Sequence, residues 1–176
     1  MRQAILLATL IIAGSSVARS QTSFNHVGYG QDERKSSAAR RCTGAYLSLR
    51  RVGDDAGAGQ RAVIFAFTNT ALSPCTLYGH PGFSMLNRAG QPLRGAHVGK
   101  NGEEAQVVTL APGGKAWFEI TFSACGVGGT GVRCPTSAKV RITAPGTRRA
   151  FVLRERLEPY RGRVNVSPVQ STQPGE

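Results

Sequence analysis

From Cys42 onward, apolar residues recur at every second position in short runs, and Gly-, Asp- and Pro-rich breaks separate the runs. Residues 45–52, AYLSLRRV, put Tyr46, Ser48 and Arg50 on one side and Leu47 and Leu49 on the other. In RAVIFAFTN (61–69), Val63, Phe65 and Phe67 share a face and Ile64 lies opposite. KAWFEITFS (115–123) sets Phe118, Ile120 and Phe122 against Trp117, Glu119 and Thr121. A period of two is the signature of a strand with one buried face. Shorter runs of the same kind occupy 83–87, 105–110, 137–143, 149–155 and 163–169. In 137–143 the expected buried pair is Val140 and Ile142, with Lys139 and Arg141 facing solvent. GDDAGAG (53–59), RAGQP (88–92) and APGG (111–114) supply turn chemistry between the runs. Eight short strands without an amphipathic helix or an internal repeat predict an all-β chain. An antiparallel β-sandwich is the expected architecture, and a small β-barrel is the alternative.

The first forty residues do not share this pattern. Arg2 precedes an apolar run, Ala4 to Ala13, of about ten residues, which suits a secretory h-region and is too short to span a bilayer. Small residues fit cleavage after Ala18 or after Ser20, and no Cys follows to take a lipid anchor. The expected organisation is a signal peptide (1–20), a flexible polar leader (21–41), a β-sandwich (42–169) and a disordered tail (170–176). The expected location is periplasmic or secreted, with no transmembrane segment in the mature chain. About 155 residues would remain, enough for one domain with a sizeable core.

Charge narrows the class of partner. Lys and Arg number 22 against 10 Asp and Glu, for a net charge of +12. Nine of the basic residues cluster between Arg133 and Arg163, opposed only by Glu155 and Glu158. Arg133, Lys139, Arg141, Arg148, Arg149, Arg154 and Arg156 form the candidate face for an anionic partner, since Arg binds phosphate or carboxylate through two parallel hydrogen bonds. Specific nucleic-acid recognition is not expected, because only Phe151 and Tyr160 interleave with the cluster.

Catalytic chemistry finds little support. In PCTLYGHPG (74–82), Cys75 and His80 invite a nucleophile–base reading, yet Pro74, Gly79, Pro81 and Gly82 make the stretch a turn. His26, His80 and His97 with Met85 have no metal-ligand spacing, and no two cysteines are spaced C-x-x-C. Asp54-Asp55 and Glu103-Glu104 sit in polar turns where both carboxylates stay hydrated. No catalytic residue, metal or cofactor is expected, and the protein is read as a non-enzyme. Four cysteines, Cys42, Cys75, Cys125 and Cys134, allow three disulfide pairings in an oxidising compartment.

Three strings, FAFTNTALSPCTLYGHPGFSML, VTLAPGGKAWFEITFS and NVSPV, together resemble the bacterial secreted family catalogued as domain of unknown function 4232. The resemblance runs from Cys42 to Val169, and its most specific parts are Asn69 to Gly82 and Leu110-Ala111-Pro112-Gly113. It implies an immunoglobulin-like sandwich, exported proteins and lipoproteins as its setting, and no catalytic residues to carry over. It also implies a strand-to-strand corner at Tyr78, Gly79 and Pro81. In the family pattern a late Cys often precedes the last strand, whereas here EPYRGRVNV has none. Cys125 and Cys134 instead bracket GVGGTGVR, which favours a local bridge between them and leaves Cys42 to Cys75. The expected function is an exported, non-enzymatic binding or adhesion module of the envelope that meets an anionic partner through its basic face. A structural accessory domain binding another exported protein is the alternative, and a hydrolase or metal-binding protein ranks third.

Overall fold

A computed structural model of the protein describes residues 39–101, 104–127, 129 and 131–175. The expected signal peptide and its cleavage positions, and the leader up to residue 38, lie outside the described residues. No described helix is long and apolar enough to cross a membrane.

Eleven strands are described. Five of them, β2 (Leu47–Gly57), β3 (Gln60–Asn69), β8 (Lys115–Ser123), β11 (Arg163–Val166) and β6 (His97–Lys100), form one sheet in the order β2-β3-β8-β11-β6. A second sheet has the order β10-β9-β5, from β10 (Ala150–Leu153), β9 (Lys139–Thr143) and β5 (Gly82–Leu86). A third has the order β1-β4-β7, from β1 (Arg40–Arg41), β4 (Cys75–Tyr78) and β7 (Val107–Leu110). The sheets are open and enclose one continuous core, so the protein is an all-β sandwich and not a closed barrel.

Alternation builds that core. On the large sheet Val63 pairs with Ile120, Phe65 with Phe118 and Phe67 with Ala116. The Phe118 ring stacks on Phe65 at 5.5 Å and on Phe67 at 5.1 Å, and all three rings are fully buried. Across the sandwich, Phe83, Ile142 and Phe151 share one register row, and Met85, Val140 and Leu153 share the next. Phe151 meets Phe67 at 6.0 Å and so joins the two layers. Each fully buried ring contributes about 1.5–3 kcal/mol, more than an exposed ion pair supplies.

Several elements depart from expectation for identifiable reasons. GDDAGAG is mostly strand, because β3 is long enough to pair β2 out to Gly57, and only Ala58 and Gly59 (φ 46° and 80°) make the turn. A bulge between Arg51 and Gly53 shifts the register within that hairpin. β4 is a strand because Cys75 and Leu77 alternate inward against Leu110 and Val108. β6 is mostly exposed and carries no apolar alternation; it is held by parallel pairing to β11. β1 also pairs in parallel, with Arg40 beside Cys75, so the sandwich is not purely antiparallel and the last two leader residues are strand. At the other end, Gln170 exchanges backbone hydrogen bonds with Trp117, so ordered pairing reaches into the expected tail. Gln173 to Gly175 then line a depression with Ile64, which is buried although it faces away from the core.

At the end of β3, Asn69 is buried, and its side-chain amide donates to the carbonyls of Ser73 (2.9 Å), Leu110 (3.1 Å) and Ala111 (3.3 Å). Its side-chain oxygen accepts the Ala71 N–H at 3.0 Å. Its backbone N–H donates to the Gly114 carbonyl, and its own carbonyl accepts from Gly113. One residue thus fastens the turn before β4 and the turn between β7 and β8. Truncation leaves buried carbonyls without a donor, so Asn69→Ala is expected to lower unfolding free energy by about 2–4 kcal/mol, read by urea denaturation.

A mostly buried Glu155 lies 3.6 Å from Arg51, which also holds Asp54 at 2.9 Å. Burial raises the Glu155 pKa, the Arg51 charge opposes the rise, and Asp54 adds to it. A carboxyl raised in the folded state favours folding when protonated, and that stability is lost as pH rises through its folded pKa. Glu155→Gln is therefore expected to unfold at higher denaturant than the native chain at pH 7. The difference should vanish below about pH 4, and a constant difference across the range would contradict this account.

Candidate functional site

Tyr78, Gly79 and Pro81 lie where β4 ends and β5 begins. Gly79 adopts φ 101°, a left-handed conformation that favours glycine, and its carbonyl accepts the Val169 N–H at 3.0 Å. Pro81 is buried, while Tyr78 is 63% exposed and stands opposite Val107, which is 64% exposed. Cys75 is bonded to Cys42 and Cys125 to Cys134, so all four cysteines are disulfide-bonded. That removes the thiolate a Cys75–His80 mechanism requires. The Nε2 atom of His80 is buried without a hydrogen-bond partner among the described residues. No three His, Cys, Asp or Glu side chains among the described residues are grouped to hold a metal ion.

The seven candidate basic residues divide between separate places. Lys139 and Arg141 face outward on β9, where Ser84 of β5 and the exposed Val152 of β10 stand beside Arg141 in register. Arg154 follows two residues after Val152 and is exposed. None of Lys139, Arg141 and Arg154 has a carboxylate partner among the described residues. Buried Ser137 organises this end of the sheet: its hydroxyl donates to the Glu155 carbonyl at 2.8 Å and accepts the Leu157 N–H at 2.9 Å. Arg156 lines a nearby depression with Arg88, but it is ion-paired to Glu158, which also accepts the Thr136 hydroxyl. The Arg156 hydrogen bond holds the Glu158 carboxyl below its ordinary pKa, so this pair is neutralised in place.

Arg149 does not join that face. Its guanidinium donates to the Ala45 carbonyl at 3.3 Å and lies 5.6 Å from the Phe151 ring centre. It closes over the 3-10 turn Gly44–Tyr46, where a Cβ on Gly44 would run into the Arg149 side chain. Arg148 is exposed in the adjoining loop.

Arg133 belongs to another place again. With Arg94, Arg161 and His97 it lines a groove of about 580 Å³, completed by Gly95, Cys134 and Pro135. Arg94 and His97 fell outside the sequence cluster because they precede Arg133 by more than thirty residues, in a stretch without strand periodicity. The parallel pairing of β6 with β11 sets His97 opposite Arg163, and the close approach of Gly162 to Gly95 brings the segment of Arg94 to that of Arg161.

Neither a curated protein nor a solved structure matches the chain. A family model described as a domain of unknown function, DUF4232, matches residues 42–170, from the first disulfide cysteine to the partner of Trp117. With the match spanning nearly all of the described sandwich, this chain belongs to the DUF4232 family.

Proposed function

We propose that the protein is an exported, non-enzymatic binding module of the bacterial envelope, and that it meets an anionic partner through the outward face of the β10-β9-β5 sheet. The observation that carries this reading is the charge on that face: exposed Arg141 and Arg154, with half-buried Lys139 on the same side of β9, have no carboxylate partners among the described residues. The nearby acids are engaged elsewhere, Glu155 with Arg51 and Glu158 with Arg156. Arg side chains in this state can give two parallel hydrogen bonds to a phosphate or carboxylate. Export is supported by the apolar N-terminal run and by two disulfides, which persist in oxidising compartments.

A second reading, an accessory domain that docks on another exported protein, draws on a different face. Exposed Tyr78 and Val107 adjoin Arg41 around a depression of about 300 Å³ on the β1-β4-β7 sheet. Aromatic and Arg side chains are the residue types that anchor protein interfaces.

Co-sedimentation with anionic envelope fragments separates the two readings. Bound protein is expected to fall several-fold between about 0.05 and about 0.5 M NaCl, because exposed charge is screened. The double variant Arg141→Gln/Arg154→Gln should bind less at low salt. Binding indifferent to both salt and the double variant, but lost in Tyr78→Ala, would favour the accessory reading instead.

A further inference from the structure

Three segments far apart in sequence converge on the groove at Arg94, Arg133 and Arg161, and each is held there by the backbone or by a crosslink. The 160–162 turn carries Arg161 at φ 51° and ψ 23°, a left-handed conformation unusual for a residue with a side chain. Gly162 follows at φ 72°, and a Cβ there would collide with the Gly95 carbonyl oxygen. The turn that aims Arg161 therefore packs backbone to backbone against the segment bearing Arg94. His97 enters through the first β6–β11 pair, opposite Arg163. The disulfide Cys125–Cys134 holds the residue next to Arg133, and its loop is tied to the same turn. The Cys125 N–H donates to the Glu158 carbonyl at 3.0 Å, and Ala124 bridges Pro159.

The lining suits a particular ligand chemistry. Three guanidinium groups offer up to fifteen N–H donors, and no described lining residue is a carboxylate that would neutralise them. Left to themselves, three cations around one concavity repel, and backbone held outside the common regions tends to be kept where it serves a site. A carboxylate has two oxygens to offer such a donor set, while a phosphate offers three or more. At about 580 Å³ the groove matches small-ligand sites and exceeds what an inorganic ion fills. Gly95, Cys134 and Pro135 give it walls without charge.

We propose that this groove is a binding site for a small phosphate ester, its phosphate held by Arg94, Arg133 and Arg161 and its polyol- or sugar-sized body lying along Gly95 and Pro135. The site is separate from the β10-β9-β5 face and does not depend on the function proposed for that face.

Calorimetric titration of the full chain, produced in an oxidising compartment, with glycerol 3-phosphate tests the site. Saturable one-to-one binding is expected, with glycerol inert. Arg133→Gln and Arg161→Gln should each weaken binding by about tenfold or more. Arg141→Gln, on the other face, should bind as the native chain does. Arg133 lies on an exposed loop, so its variant keeps the test valid if Arg161→Gln fails to fold. Cys125→Ser/Cys134→Ser should retain the sandwich but bind several-fold more weakly. Phosphatidic acid vesicles, whose headgroup is likewise a phosphate monoester, would identify the source as a lipid headgroup if they displace glycerol 3-phosphate, and as a soluble ester if they do not. Absence of binding at millimolar glycerol 3-phosphate, or equal binding by Arg133→Gln and Arg161→Gln, would overturn the proposal. Loss of vesicle binding in Arg141→Gln/Arg154→Gln alone bears on the sheet face and leaves the groove intact.

Discussion

The carboxamide of Asn69 satisfies carbonyls from two turns that lie some forty residues apart in sequence. Because it is buried and uncharged, it does this without the desolvation cost that an ionised side chain would carry at the same place. The turn it closes delivers Cys75 to Cys42, and the other turn reverses the chain from β7 into β8, where Phe118 anchors the ring stack. This gives a physical reason for the two most specific strings of the family resemblance to stand together. Asn69 opens one of them, and its amide reaches into Leu110-Ala111-Pro112-Gly113, the other.

Charge in the molecule is sorted by the fold as much as by composition. A net charge of +12 would read as a uniformly repulsive surface. In the sandwich, Arg51, Arg149 and Arg156 are engaged with Asp54 and Glu155, the Ala45 carbonyl, and Glu158 respectively. Lys139, Arg141 and Arg154, without carboxylate partners among the described residues, lie on one sheet face, while Arg94, Arg133 and Arg161, the last beside the Tyr160 ring, line one groove. The run of basic residues from Arg133 to Arg163 mixes members of all three groups. Charge density along the chain therefore marks where basic residues are plentiful, and strand register decides which of them act together.

Legibility followed the strength of the physical signal in each element. In 61–69, 115–123 and 137–143 the apolar face is long enough for alternation to give both strand and inward set, down to Val140 and Ile142 beneath Lys139 and Arg141. The disulfide pairs were reachable through the family resemblance and the missing late Cys, since spacing alone allows three pairings. β1 and β6 left no trace, because two- and four-residue edge strands with exposed side chains are held by backbone hydrogen bonds that any sequence can make. The hairpin through GDDAGAG misled for a related reason, as its Gly and Asp residues suit a turn but also tolerate an exposed strand whose partner, β3, is strong. Arg94, and His97 in company with it, did not stand out as groove residues because non-local backbone contacts bring them to Arg161.

The disulfide at the domain entrance also sets how tension on the chain would travel. β1 contributes only two residues of pairing, so a pull from the residues before Arg40 would peel it with little resistance. Cys42 follows immediately and is bonded to Cys75 at the start of β4, the middle strand of its sheet. Force arriving from the N-terminal side would therefore bypass the weak edge and enter β4, which keeps its pairing to β7 after β1 has peeled. A chain pulled from its N-terminal side would hang from a covalent link to a buried strand.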